Sequence, residues 1–324
     1  MKIGMIFPGY GSQFVGMGKE LYDESRIMQE YFEQASHCLD INFIKLCFAS
    51  SDVELGKMQH AYTSLFLINS SIAAVLKDAG ITPDVVAGYN VGQYAAMHTA
   101  NGLTFADGLY LLSKLSLFSQ ELFEQQNYAV ARVKGCSKDE LSDLIKSDAP
   151  SVHIVSFEMP NQHIITGEAD ELQACVKKIK ELDKVKVEDV PLEYGLHAPV
   201  MASAIEQFEV YFEKVDFKDV EIPVIANSSA QSIQTGPALK QEIIDYATKP
   251  IAWLQTMQEL HTCDIILSVG PGTVLNKMIT QLYPNKQILS IQKPADIQKA
   301  KELILGSEPE PAPTQPETDE TIGS

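Results

Sequence analysis

Residues 85–96 have the types and spacing of a site for nucleophilic chemistry. A short apolar run leads into Gly88-Tyr89-Asn90-Val91-Gly92 and then into an alanine-rich segment, which predicts a strand, a sharp turn and a helix. In such a nucleophile elbow, two glycines let strand and helix approach closely, and the central residue sits at a strained backbone angle. Asn90 tolerates positive φ, but it has no hydroxyl or thiol. The sequence therefore predicts the frame of a covalent acyl-transfer site without its nucleophile.

A glycine-rich segment follows the first predicted strand. Residues 2–7 are expected to form a buried strand, and Pro8-Gly9-Tyr10-Gly11-Ser12-Gln13 comes next. A G-x-G-x-x-G loop for a dinucleotide would need glycine at position 14, which is Phe14. We expect the backbone N–H groups of this loop to face the elbow instead and to help form an oxyanion hole.

The elements around these segments predict two units. Helices over 25–39 and 61–78 precede the elbow, and a helix capped at Thr104 is expected to reach about residue 125. From residue 128 the pattern is β-α-β-β-α-β, the order of a ferredoxin-like unit. Later helices and strands alternate as in a mostly parallel sheet that is covered on both faces. We predict an α/β domain over 1–127 and 193–306 and a ferredoxin-like subdomain over 128–192.

The composition disfavours several classes of function. The 324 residues carry a formal net charge of −18, whereas binding to nucleic acid or anionic membranes requires clustered Lys and Arg. The five cysteines form no C-x-x-C pair, so we expect neither disulfides nor a metal site. No apolar run is long enough to cross a membrane, and we expect a cytoplasmic protein. The acidic, Pro-rich residues 307–324 are expected to be a disordered tail.

Further short motifs occur along the chain in a recognisable order. They are Phe7-Pro8-Gly9-Tyr10-Gly11-Ser12-Gln13, the elbow from Gly88 to Gln93, Met159-Pro160-Asn161-Gln162-His163-Ile164-Ile165-Thr166-Gly167, Leu196-His197-Ala198-Pro199-Val200-Met201, Ile225-Ala226-Asn227 and Val269-Gly270-Pro271-Gly272. This order resembles that of malonyl-CoA:acyl-carrier-protein transacylases and the related acyltransferase domains of polyketide synthases. The resemblance implies an α/β-hydrolase-like large domain with an inserted ferredoxin-like subdomain. It also implies a ping-pong mechanism, in which an elbow serine takes an acyl group from CoA and passes it to a carrier-protein thiol.

The resemblance also implies roles for individual residues. His197 occupies the place of the catalytic histidine, and the backbone at Tyr10 and Val91 is expected to hold the oxyanion. The positions expected to contact the substrate include Gln13, Gln162 and Asn227. No resident cofactor or metal is implied, and a CoA thioester is the expected substrate or ligand.

The chain departs from the family pattern where the chemistry is done. Asn90 stands at the nucleophilic serine, and Leu115 stands at the arginine that pairs with the malonyl carboxylate. Tyr89, Gln93 and Glu158 replace a histidine, a glutamate and an asparagine. A carboxylate buried without a cation is strongly disfavoured, so nothing at Leu115 would select a dicarboxylic thioester.

Three functions are compatible with these residues. We favour a non-catalytic homologue that binds acyl-CoA, an acyl carrier protein or a synthase subunit of fatty-acid or polyketide synthesis. The alternatives are an active S-malonyl- or acyltransferase that uses His197 as the base without a covalent acyl-serine, and an acyl hydrolase. A neighbouring hydroxyl, such as that of Ser12 or Ser229, is a further candidate nucleophile.

Overall fold

The elbow lies at the carboxyl ends of the strands of a six-stranded, mostly parallel sheet. The structure is a computed structural model, and it describes residues 1–125, 127–191 and 197–306. The described strands are β1 (Ile3–Phe7), β2 (Val85–Gly88), β3 (Tyr128–Lys134), β4 (His153–Met159), β5 (Gln162–Glu168), β6 (Lys186–Asp189), β7 (Val224–Ile225), β8 (Ser232–Ile233), β9 (Ile265–Val269) and β10 (Gln287–Ile291). The large sheet has the order β10-β9-β1-β2-β7-β8, and its pairs are parallel except for β7 with β8. The mixed α/β class predicted from the sequence is confirmed.

Helices cover both faces of this sheet. The described helices are α1 (Lys19–Glu24), α2 (Arg26–Leu39), α3 (Phe43–Ala49), α4 (Asp52–Gly56), α5 (Met58–Asp78), α6 (Gly92–Thr99), α7 (Phe105–Gln125), α8 (Lys138–Asp148), α9 (Ala169–Ile179), α10 (Ala202–Phe212), α11 (Gly236–Thr248), α12 (Trp253–Leu260), α13 (Val274–Leu282) and α14 (Pro294–Leu305). All five residues of β1 are buried: Met5 and Phe7 belong to one apolar cluster and Ile6 to another. Such burial on both faces explains why β1 is a continuous apolar run.

A second sheet forms a smaller unit beside the first. Its order is β4-β5-β3-β6, all its pairs are antiparallel, and it has an apolar cluster that it shares with α8 and α9. Backbone hydrogen bonds at Ile251 connect this sheet to the segment before α12: Ile251 N donates to Val155 O at 2.9 Å, and Phe157 N donates to Ile251 O at 2.9 Å. The small sheet is thereby held against the large unit near the elbow.

The predicted helix starts agree with the observed caps. Ser25 accepts a hydrogen bond from Met28 N at 3.3 Å before α2, and Thr104 accepts one from Asp107 N at 3.1 Å at the start of α7. A 3₁₀ turn at Pro199–Met201 precedes α10, which ends at Phe212. In the described part of the chain, no helix is both long and apolar enough to cross a membrane. The tail expected over 307–324 lies outside the described residues.

Candidate active site

The predicted elbow is present between β2 and α6. Asn90 has φ 55°, in the left-handed region that asparagine tolerates better than most residues. The flanking glycines are required by close backbone approach: a Cβ on Gly88 would lie 2.0 Å from the Gly92 carbonyl carbon, and one on Gly92 would lie 2.2 Å from Phe7 O. The turn therefore brings β1, β2 and the start of α6 together.

The side chain of Asn90 is buried and is held at both of its polar atoms. Asn90 Nδ2 lies 2.8 Å from His197 Nε2, and Asn90 Oδ1 accepts a hydrogen bond from Tyr10 N at 3.3 Å. Tyr10 belongs to the glycine-rich loop, so the expected approach of this loop to the elbow is observed. The Val91 N–H has no hydrogen-bond acceptor among the residues that the structure describes. The side-chain amide of Asn90 therefore contacts both His197 Nε2 and Tyr10 N. Tyr10 N is one of the two backbone N–H groups that are expected to hold the oxyanion.

His197 is fixed as a neutral ring. Its Nδ1 lies 2.5 Å from the carbonyl oxygen of Tyr246, and because a carbonyl can only accept, Nδ1 carries the proton. Nε2 is then an acceptor, and it accepts from the Asn90 amide. Complete burial lowers the pKa of His197 to about 4, and the bond to Tyr246 O opposes this shift only in part. At neutral pH the ring is therefore uncharged and a weak base.

Asn227 stabilises the elbow through hydrogen bonds to three of its residues. Its Oδ1 accepts from Asn90 N at 3.2 Å, and its Nδ2 donates to Gly88 O at 2.6 Å and to Gln93 Oε1 at 2.5 Å. Gln93 Nε2 in turn donates to Ile225 O at 3.1 Å. These bonds join β2, α6 and β7, so Asn227, which the resemblance placed against the substrate, contacts the elbow in this structure.

A cleft lies between the glycine-rich loop, the elbow and the small sheet. Tyr89, Arg132 and Glu158 line it together with residues 8–12 and with residues from the end of β9 to the start of α13. Its cavity volume is about 30 Å³, which is room for about two water molecules. Sites for small-molecule ligands typically have volumes of about 300–1,000 Å³. The cleft is therefore largely filled by the protein's own side chains.

The filling is an ordered polar network. Arg132 donates to Glu158 through Nε at 2.9 Å and through Nη2 at 3.2 Å. Tyr89 Oη donates to Glu158 Oε1 at 3.0 Å, and Gln162 Nε2 donates to Glu158 Oε2 at 2.8 Å. The sequence prediction included Gln162 as a site residue but missed Arg132. No local motif marks this arginine, which reaches the cleft only because β3 and β4 lie in one sheet.

The remaining predicted residues are not all in the cleft. Gln13 is half-buried, and its Oε1 accepts from Gly11 N at 2.8 Å, which shapes the glycine-rich loop. Leu115 is 1% exposed, belongs to the main apolar cluster and is not among the residues that line the cleft. Ser12 lines the cleft, but its hydroxyl donates to Gly9 O at 2.6 Å, and Ser229 is exposed.

Glu242 contacts the residue that follows Asn227 and so reaches the site indirectly. Its carboxyl oxygens accept from Ser228 N at 3.2 Å and from Ser228 Oγ at 2.6 Å, and Ser228 follows Asn227 in the chain. Burial raises the pKa of Glu242 to about 7, and its hydrogen bonds with Ser228 limit the rise. Burial thus lowers the pKa of His197 and raises that of Glu242.

These two groups should make opposite contributions to stability as the pH changes. The pKa of His197 is about 4 in the folded protein and ordinarily 6.5, so its contribution is present above pH 6.5 and is lost as the pH falls toward 4. The pKa of Glu242 is about 7 in the folded protein and ordinarily 4.5, so its contribution is present below pH 4.5 and is lost as the pH rises toward 7. Each amounts to about 3 kcal/mol.

We therefore predict that single variants expose slopes that cancel in the wild type. Glu242→Gln should make the free energy of unfolding rise with pH between 4.5 and 6.5, relative to the wild type, and His197→Gln should make it fall. Urea unfolding at several pH values measures both, and the double variant is the control in which the two differences should cancel again. Variant and wild-type curves that run parallel across this range would contradict the prediction.

Known proteins share this sequence pattern and fold. Residues 5–288 match the acyl transferase domain family. The malonyl CoA-acyl carrier protein transacylase of Bacillus subtilis (strain 168) is 28% identical over 310 residues, which cover 94% of this chain and 97% of that protein. The malonyl CoA-acyl carrier protein transacylase of Coxiella burnetii has a TM-score of 0.88 at 23% identity and covers 93% of this chain and 96% of its own. A malonyl-transacylase in complex with a type II polyketide synthase acyl-carrier protein has a TM-score of 0.89 at 23% identity, covering 94% of this chain and all of that one (100%). At that identity the two solved structures show a shared fold alone. The chain belongs to the acyl transferase domain family.

Proposed function

We propose that this protein is a malonyl-CoA:acyl-carrier-protein transacylase homologue that binds an acyl-CoA or an acyl carrier protein as an accessory subunit and forms no covalent acyl intermediate. The observation that carries this proposal is the position of Asn90. Its amide contacts both His197 Nε2 and Tyr10 N, the two groups that a nucleophilic serine and a thioester oxygen would use. Asn90 takes the place of the serine, and its side chain satisfies the groups that the missing chemistry would need.

The catalysis that remains without a nucleophile is also small. Without a nucleophile, positioning and an oxyanion hole can still give about 10³–10⁴-fold catalysis over water, whereas enzymes typically reach about 10⁶-fold or more. The cleft has a volume of only about 30 Å³, so it also leaves little room for an acyl group at the elbow. A direct transfer with His197 as the base would also need Nε2 free to accept a proton, and this nitrogen already accepts from the Asn90 amide.

We propose an acyl carrier protein of fatty-acid or polyketide synthesis as the partner. The curated relatives are named for transfer to such a carrier, and one solved structure of the same fold is a complex with one. We also propose that the two sheets correspond to an α/β-hydrolase-like large domain (1–127 and 193–306) and a ferredoxin-like subdomain (128–192). The sheet order β4-β5-β3-β6 supports the second assignment.

Intact-protein mass spectrometry tests the absence of an acyl-enzyme. After incubation with malonyl-CoA or acetyl-CoA, we expect no mass increase, while the transacylase of B. subtilis (strain 168) serves as the positive control. Titration calorimetry with acetyl-CoA and with a phosphopantetheinylated carrier protein should detect saturable binding of at least one of them. A stable adduct of one acyl group would contradict the accessory role, and peptide mapping would then decide between Ser12 and other sites. Binding of neither probe would also contradict it.

A further inference from the structure

The ion pair in the cleft joins the small sheet to the elbow. Arg132 lies on β3, Glu158 on β4 and Gln162 on β5, and their side chains meet Tyr89, the residue before Asn90. The ring of Tyr89 packs edge-on against Trp253, with 5.3 Å between ring centroids. Tyr89 is therefore fixed at its ring by α12 and at its hydroxyl by Glu158.

The Glu158 carboxylate has all of its acceptor positions filled. Arg132 supplies two N–H donors, and Tyr89 Oη and Gln162 Nε2 supply one donor each. An ionised carboxylate offers about four acceptor sites, so these four donors satisfy it. Glu158 is 1% exposed, and a buried carboxylate requires such compensation.

The same contacts decide which ligand the cleft can accept. Arg132 is the cation among the described residues that line the cleft, and two of its N–H groups already bind a carboxylate. A second carboxylate, at the end of an acyl chain, would compete with Glu158 for this guanidinium and would lie beside its negative charge. An acyl group with an uncharged end meets neither obstacle.

We propose that Glu158 is an internal substitute for a ligand carboxylate, which occupies Arg132 and restricts the cleft to acyl groups with uncharged ends. This inference rests on the acyl-binding function proposed above. It assigns the cation of this site to Arg132 on the small sheet, although the resemblance placed it on α7 at Leu115. The Arg132 side chain is 19% exposed, so an anion can reach its guanidinium from the open side of the cleft once Glu158 no longer holds it.

Neutralising Glu158 should remove the carboxylate that Arg132 binds in the cleft. Glu158→Gln keeps the shape of the side chain and an acceptor for the Tyr89 hydroxyl, but it removes the charge that Arg132 pairs with. We expect sodium malonate to raise the melting temperature of Glu158→Gln in the millimolar range and to leave the wild type unchanged. By calorimetry, the affinity ratio of malonyl-CoA to acetyl-CoA should rise about 10- to 100-fold over the wild type, the effect of one charge-assisted pair.

Two control variants make the result specific. Arg132→Gln combined with Glu158→Gln should lose both gains, because the cation is gone. Glu30→Gln breaks an exposed arginine–glutamate ion pair on α2, Arg26–Glu30 at 3.0 Å, and should behave like the wild type. If Glu158→Gln does not fold, as circular dichroism would show, Glu158→Asn replaces it with a shorter neutral side chain.

The outcomes separate this inference from the proposed function. A malonate effect that is absent in the Glu158 variants, or that persists without Arg132, would overturn the inference. So would a wild-type protein that binds malonyl-CoA more tightly than acetyl-CoA. If no variant binds any CoA ester but malonate still stabilises Glu158→Gln through Arg132, the carboxylate substitution stands and the acyl-binding function fails.

Discussion

Asn90→Ser is expected to convert the elbow into a site that takes up an acyl group covalently. The shorter side chain releases His197 Nε2 as an acceptor and Tyr10 N as a donor, both of which Asn90 occupies in the wild type. A serine hydroxyl at this point can transfer its proton to His197, and Tyr10 N with Val91 N can hold the oxyanion. Incubation with acetyl-CoA should therefore add one acetyl group, detected by intact mass, at a rate at least about 10²-fold above the wild-type background.

Two control variants separate the effect of the hydroxyl from the effect of removing the Asn90 hydrogen bonds. Asn90→Ala removes the same hydrogen bonds without supplying a hydroxyl, and Asn90→Ser with His197→Gln supplies the hydroxyl without its base; neither should acylate. Serine tolerates the φ of 55° less well than asparagine, so we expect a loss of about 1 kcal/mol in stability. A folded Asn90→Ser protein that acquires no adduct from any short-chain CoA ester would show that the cleft has been rebuilt and would exclude the disarmed-transacylase account.

Malonyl uptake should need a second change, and the structure alters which one. Leu115→Arg, the replacement suggested by the family pattern, would bury a guanidinium in the main apolar cluster, where Leu115 is 1% exposed. Glu158→Gln added to Asn90→Ser should favour malonyl-CoA instead, because it removes the carboxylate that Arg132 binds in the cleft.

Gly92→Ala is expected to prevent the elbow from forming. An alanine Cβ would lie 2.2 Å from Phe7 O, 2.8 Å from Phe7 C and 2.9 Å from Pro8 O, and these backbone atoms belong to β1 and the start of the glycine-rich loop. Because β1 pairs with β2 and β9 at the centre of the sheet, it cannot yield without disrupting the core. We expect a loss of about 4 kcal/mol or more in the free energy of unfolding, or no folded protein, measured by urea denaturation.

Gly56→Ala is the matched control for this glycine. Its added Cβ would have no neighbour within 4 Å, and Gly56 lies in α4, where alanine is the better helix former. This variant should be as stable as the wild type or more stable by about 0.5–1 kcal/mol. If Gly92→Ala were as stable as Gly56→Ala, the close approach of α6 to β1 would not exist as described.

The elbow could be predicted from the sequence because its signal is local. Glycines lie two residues before and two residues after Asn90. An apolar run precedes them and alanines follow them, so this segment has few alternatives to a strand, a sharp turn and a helix. The cleft could not be predicted in the same way. Arg132 and Glu158 are 26 residues apart, and their contact depends on the pairing of β3 and β4 with β5 and on the attachment of that sheet at Ile251. The position of Leu115 follows from an alignment of motifs alone, and such an alignment carries no information on what a side chain contacts.

Short elements were missed for a related reason. The helices α1, α3 and α4 span two turns or fewer, so their apolar residues do not repeat often enough to show a period, and β8 has two residues.

The packing of Tyr89 against Trp253 gives this protein an optical reporter at its candidate site. Trp253 is the one tryptophan in the chain, it is buried, and its ring touches the residue that precedes Asn90. Any ligand that displaces Tyr89 to enter the cleft must change what surrounds the indole. The intrinsic tryptophan fluorescence of this protein therefore comes from a ring beside the elbow. A ligand titration followed by this fluorescence records occupancy of the cleft without an added label.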